Sequence, residues 1–143
     1  MKGYIYAFID EETFEIYVGS TINTIRVRYQ KHLTDLRMFL GLTSKGSRNF
    51  RHSFDILYNN RYKIVCLHTL DNVNKQTLNL IESMYIIKFK KQGLKLVNKG
   101  ISSKEALLFD YRNFGLNEIN FAAKTLFPRS ELLRPSVLCK LYP

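Results

Sequence analysis

Tyr4-Ile5-Tyr6-Ala7-Phe8-Ile9, followed by Asp10-Glu11-Glu12-Thr13 and then by Phe14-Glu15-Ile16-Tyr17-Val18-Gly19, decides how the start of the chain folds. The outer runs are β-branched and aromatic, and the polar run between them breaks the pattern, so the stretch reads as a β-hairpin with a four-residue loop. With Ile9 opposite Phe14, the pairing runs outward through Ala7 with Ile16, Tyr6 with Tyr17, Ile5 with Val18 and Tyr4 with Gly19. Alternation then sorts the faces. Ile5, Ala7, Ile9, Phe14, Ile16 and Val18 form an apolar face suited to the core. Tyr4, Tyr6, Phe8, Glu15, Tyr17 and Gly19 form a mixed face, where a glycine admits close backbone approach and phenols offer chemistry. From the hairpin alone, that tyrosine pair fits ring packing as readily as a site.

Beyond Gly19 the period changes. Ile25, Tyr29, Leu33, Leu36 and Leu40 form one stripe of a helix over about 23–40, with Thr21, Asn23 or Thr24 as its cap. Arg28 and His32 are one turn apart on the same side of that helix. Singly, the first fits a solvated cation and the second a boundary histidine. A second helix over about 74–91 carries Leu78, Ile81, Tyr85 and Phe89 at helical spacing, with Gly93 as its C-terminal cap. Glu82 adjoins Ile81 at the seam of this helix, where a carboxylate needs either a lysine partner such as Lys88 or Lys31 or a metal ion.

Taken in order, Tyr4-Ile5-Tyr6, Tyr17-Val18-Gly19, Arg28-x-x-x-His32, Glu82 within Leu80-Ile81-Glu82-Ser83-Met84-Tyr85-Ile86, and Val97-Asn98 resemble the GIY-YIG nuclease domain over residues 1–100. Two positions depart from the family pattern. Tyr4 stands where the first motif has glycine, with Gly3 shifted by one, and Val18 replaces isoleucine. Neither departure removes a side chain that carries chemistry.

The resemblance implies a divalent-metal-dependent endonuclease that hydrolyses phosphodiester bonds in double-stranded DNA, with branched or damaged duplexes among the compatible substrates. It implies one Mg²⁺ or Mn²⁺ ion held by Glu82, and Arg28 clamping the scissile phosphate. Tyr6 would be the general base assisted by His32, with Tyr17 in support or the two tyrosine roles reversed. Asn98 would orient Glu82 or the phosphate. The alternatives are a nucleic-acid-binding module on the same fold without turnover, and an unrelated basic domain whose tyrosines are core. One site cuts one strand, so a double-strand break would call for a homodimer or sequential nicking.

Charge agrees with a polyanionic partner. Against 12 Asp plus Glu stand 22 Lys plus Arg, a formal net charge of +10, which attracts nucleic acid from a distance. The expected contacts are Arg26 and Lys31 on the first helix, Lys45, Arg48 and Arg51 after it, and Lys88, Lys91 and Lys95 near the end of the second. Acidic residues gather at the hairpin tip.

A chain of 143 residues with 45% apolar content suits one hydrophobic core. The first strand starts too early to leave room for a secretory signal, and no apolar run has the length of a membrane span. A soluble intracellular protein, cytoplasmic or nuclear, is expected. Cys66 and Cys139 are too dispersed for a zinc pattern and read as a buried small hydrophobe and a reduced surface thiol. The remaining elements are a shorter helix over about 47–59, a strand over about 62–70 and a short strand near 94–98. The expected fold is therefore α/β, of the α+β kind: a small sandwich with a mixed three-stranded sheet that starts in a hairpin and is flanked by helices. Residues 101–143 read as a short helical extension, probed by a capping box at Ser102-x-x-Glu105, a second helix over about 117–126, and Pro128 and Pro135 as terminators.

Overall fold

A computed structural model of the chain describes residues 2–43 and 49–108, together with the backbone of 134–141. Strands β1 (Gly3–Asp10) and β2 (Ile16–Thr21) form the expected hairpin, followed by α1 (Ile25–Phe39), the short α2 (Phe54–Leu57), β3 (Tyr62–Leu70), α3 (Lys75–Lys91), a 3₁₀ turn (Lys104–Leu108) and β4 (Arg134–Leu141). The sheet order is β2-β1-β3-β4 with every pairing antiparallel. This is a small α+β domain.

The hairpin register differs from the sequence reading. Ile9 pairs with Ile16, Phe8 with Tyr17, Ala7 with Val18 and Tyr6 with Gly19. Asp10 is the cause. Its Oδ1 accepts the backbone N–H groups of Glu12 at 2.9 Å and Thr13 at 3.0 Å, which winds the chain into a side-chain-bonded turn. Phe14 is thereby expelled from the strand, 67% exposed with φ of 62°. Because the offset is an even number of residues, every side chain that remains in the ladder keeps its face, while Phe14 leaves the core face expected for it.

Those faces build two cores. Ile5, Ala7, Ile16, Val18 and Leu70 pack against Leu78, Ile81, Met84 and Tyr85 of α3. On the other side Tyr6, Phe8, Tyr62, Ile64 and Cys66 pack against Ile25, Tyr29 and Leu36 of α1 and Phe54, Ile56 and Leu57 of α2. Each fully buried large side chain contributes about 1.5–3 kcal/mol. An irregularity at Ile5/Tyr6 puts His68 opposite Ile5 and Cys66 opposite Tyr6, so β3 supplies His68 to the α3 face and Cys66 to the α1 face.

The stretch near 94–98 is reduced to a single parallel bridge between Ile16 and Leu96. The ladder stops because the Asn98 side chain takes over the next position: its Oδ1 accepts Val18 N–H and its Nδ2 donates to Val18 C=O, both at 2.9 Å. The helix expected over 47–59 is confined to Phe54–Leu57 among the described residues.

In the extension, Ser102 does not build a capping box. Its hydroxyl donates to Glu82 Oε2 at 3.0 Å, while Ser103 Oγ donates to Glu105 at 2.8 Å, and a 3₁₀ turn follows instead of a long helix. The helix expected over 117–126 lies outside the described residues. Pro135, expected to end regular structure, lies within β4. An outer strand tolerates a proline because one side of its backbone has no ladder partner. Among the described residues, no helix is long and apolar enough to cross a membrane.

Candidate active site

β2 is an edge strand, so α1 on one face of the sheet and α3 on the other can both reach around it. A pocket of about 370 Å³ forms there, lined by Tyr17, Ser20 and Thr21 of β2, Ile22 and Asn23 of the connection, Arg28 of α1, and Lys75, Leu78, Asn79 and Glu82 of α3. The helix starts are fixed locally. Thr21 Oγ1 accepts Asn23 N–H at 3.0 Å, Thr24 Oγ1 caps α1 by accepting Val27 N–H at 3.2 Å, and Asn74 Oδ1 caps α3 by accepting Thr77 N–H at 2.8 Å. These caps set where the first turns project.

Of the residues expected to be catalytic, Tyr17, Arg28 and Glu82 meet in the pocket wall. Tyr6 and His32 lie directly behind it. Tyr6 is 0% exposed, and its Oη is 2.9 Å from His32 Nε2, whose other nitrogen Nδ1 is 2.9 Å from Ser53 Oγ. The Arg28 guanidinium acts electrostatically on both the Tyr6 and the Tyr17 phenols. Aromatic rings close this group in: Phe8 stacks on Tyr17 at 5.7 Å, and His32 sets its edge against Phe8 at 5.2 Å and Tyr17 at 5.5 Å.

Burial governs the electrostatics. It pushes the Tyr6 phenol above its ordinary value, with Tyr17 adding and Arg28 opposing. It likewise raises Tyr17, helped by the Glu82 carboxylate. His32 is driven down to about 3, first by burial and then by the Arg28 and Arg51 cations, so its imidazole is neutral. Burial raises the Glu82 carboxyl, while hydrogen bonds from Ser102 and Ser20 and the charge of Arg28 hold it back. Of the lysines considered from the sequence, Lys31 pairs with Asp35 at 3.6 Å.

Asn98 is not directed at Glu82, because both of its amide atoms are on the Val18 backbone. Among the residues expected to bind nucleic acid, Arg51 is 2.9 Å from the buried Asp35 carboxylate, which also holds Lys31. Arg26, Lys91 and Lys95 are exposed and Lys88 is half-buried. Lys91 is about two and a half turns from Glu82 and so points to the other side of α3. Lys45 and Arg48 lie outside the described residues.

Sequence reasoning missed Ser20, Lys75, Asn79 and Ser53. Lys75, Asn79 and Glu82 form one stripe of α3, and that spacing was readable. Nothing in the local sequence marks Ser53.

A lone half-buried carboxylate, with serine hydroxyls for neighbours and open pocket beside it, suits Mg²⁺ or Mn²⁺. Such ions take one or two carboxylates and complete their shell with water and phosphate. Among the described residues no group of three or more His, Cys, Asp or Glu side chains forms an all-protein metal cage. No protein-family model matches the chain, and no curated protein or solved structure matches it significantly.

Proposed function

We propose that this chain is an endonuclease of the GIY-YIG type, hydrolysing phosphodiester bonds in double-stranded DNA with one Mg²⁺ or Mn²⁺ ion. The observation that supports this most is the convergence of the Tyr17 phenol, the Arg28 guanidinium and the Glu82 carboxylate, from three different elements, on one open pocket.

Phosphodiester cleavage needs an aligned water, charge stabilisation on the pentacoordinate phosphorus and help for the departing oxygen. Arg28 presents a planar fork whose attraction for the phosphate grows as charge develops. Its half-buried setting strengthens that attraction. Glu82 would hold the divalent ion, which when bound lowers the pKa of water and neutralises phosphate charge.

Tyr17 is the phenol on the pocket wall, so it contacts the attacking water. Tyr6, with no exposed surface, acts through its bond to His32, which reverses the tyrosine roles first expected. Lys75, at the pocket rim and one helical stripe from Glu82, supplies a second cation to the DNA backbone.

Supercoiled-plasmid nicking with Mg²⁺ or Mn²⁺ tests the reading, with Glu82→Ala and EDTA controls. Nicking that requires both metal and Glu82 is the expected result. Intact plasmid alongside tight, salt-sensitive binding would instead identify a binding module.

A further inference from the structure

Ser53 occupies the N-cap of α2 without capping it. Its backbone is helical, with φ of −60° and ψ of −22°, and its side chain makes no capping bond. A serine at this position ordinarily accepts an N–H from the first turn and stabilises the helix. Here the hydroxyl, on a residue with 0% exposure, goes to His32 Nδ1 instead.

A neutral imidazole has one N–H and one bare nitrogen, and His32 has a hydroxyl at each, Tyr6 Oη at Nε2 and Ser53 Oγ at Nδ1. A phenol is the stronger donor of the two hydroxyls, so Tyr6 donates to a bare Nε2 while the proton on Nδ1 is donated to Ser53 Oγ. With the ring 1% exposed and edged by Phe8 and Tyr17, these two hydroxyls set the tautomer and bulk solvent does not.

We infer that Ser53 is a positioning residue of this site: by accepting from His32 Nδ1–H it fixes the imidazole tautomer, and through His32 it holds the Tyr6 phenol in place behind the pocket. The consequence for cleavage rests on the nuclease reading, whereas the tautomer does not.

Nitrogen-15 NMR of the full chain labelled at histidine, with His32 assigned by His32→Gln, reads the tautomer directly. Wild type should show a protonated Nδ1 and an unprotonated Nε2. Ser53→Ala leaves Nδ1–H facing no acceptor, so the proton should move to Nε2 and the two resonances exchange ranges. Ser53→Thr, which keeps the hydroxyl, should restore the wild-type pattern. Nicking by Ser53→Ala should fall on the order of tenfold with DNA binding unchanged, and Ser53→Thr should recover it. A wild-type His32 protonated on Nε2 would overturn the inference, as would an unaltered tautomer in a folded Ser53→Ala. The wild-type spectrum alone decides should that variant not fold. If wild type never nicks DNA, the nuclease reading fails while the spectra still decide the role of Ser53.

Discussion

Gly19 lies directly across the hairpin from Tyr6, and the Tyr6 ring occupies the space a side chain at position 19 would need. A Cβ built there would be 2.5 Å from Tyr6 Cζ. The glycine is thus selected by close approach, since its φ is not among the positive values. Gly19→Ala should displace Tyr6 from His32 and cost about 1–3 kcal/mol through overpacking. Chemical denaturation measures this, and a midpoint equal to wild type would mean that the ring moves aside freely.

The two tyrosines should separate experimentally. Tyr17→Phe keeps the ring stacked on Phe8 and loses the hydroxyl from the pocket, so nicking should drop at least a hundredfold with stability within about 0.5 kcal/mol of wild type. Tyr6→Phe leaves His32 Nε2 unpaired in a buried place, and should cost about 1–3 kcal/mol. Nicking rates set beside thermal melts decide. Equal stability losses for both variants would refute the division of roles.

How much of this was legible beforehand depended on range. Strand β3, the starts of α1 and α3, and the facing of the paired hairpin residues, though not of Phe14, follow from local period and capping chemistry, which is why Thr24 and Asn74 cap where side-chain oxygens were available. The hairpin register was misread because Asp10 bonds two backbone N–H groups in the turn, a choice that its partner Arg61, distant in sequence, reinforces at 3.3 Å. Arg28 and Glu82 could be placed on their helices from local pattern, but only the family resemblance put them in one site. Ser53 and Ser102 could not be identified, since their roles depend on which buried group, His32 or Glu82, the fold brings to them. The strand at 134–141 was hidden by Pro135, whose local veto on regular structure does not apply at a sheet edge.

Stability should fall on mild acidification. Burial depresses His32 to about 3 and His68 to about 4, whereas both titrate near 6.5 in an unfolded chain. Between those values the unfolded state binds more protons, so stability is full above about pH 6.5 and declines as pH falls toward the folded-state values. From pH 7.5 to 5 the loss should be about 2–4 kcal/mol, measured by urea unfolding. Replacing His32 by Gln should roughly halve the decline. A flat profile over that interval would show that neither imidazole resists protonation in the folded state.

Lys75 tests which end of α3 meets the nucleic acid. It lines the pocket, while Lys91 lies about two and a half turns beyond Glu82 on the other side of the helix. If Lys75 neutralises one phosphate, Lys75→Ala should reduce the slope of log affinity against log salt by about 0.9, and Lys91→Ala should reduce it less. Fluorescence anisotropy on a duplex across a salt series gives both slopes. The reverse ranking would place the DNA track along the distal part of α3.

Asn98 provides the sharpest separation of scaffold from chemistry. Its amide donates to Val18 C=O and accepts from Val18 N–H, which reproduces a backbone pairing with a side chain and secures the edge of β2 beside Tyr17. No aliphatic residue can do both, and aspartate loses the donor while placing a charge against a carbonyl. Asn98→Ala should therefore cost about 1–3 kcal/mol by unpairing a backbone N–H and C=O, and Asn98→Asp should cost at least as much. Because the amide does not touch Glu82, the variant that remains folded should keep its dependence on Mg²⁺ concentration and lose nicking only in proportion to misplaced Tyr17. A metal titration of Asn98→Ala below its melting temperature checks this. A large shift in the Mg²⁺ requirement would return Asn98 to the role of orienting Glu82.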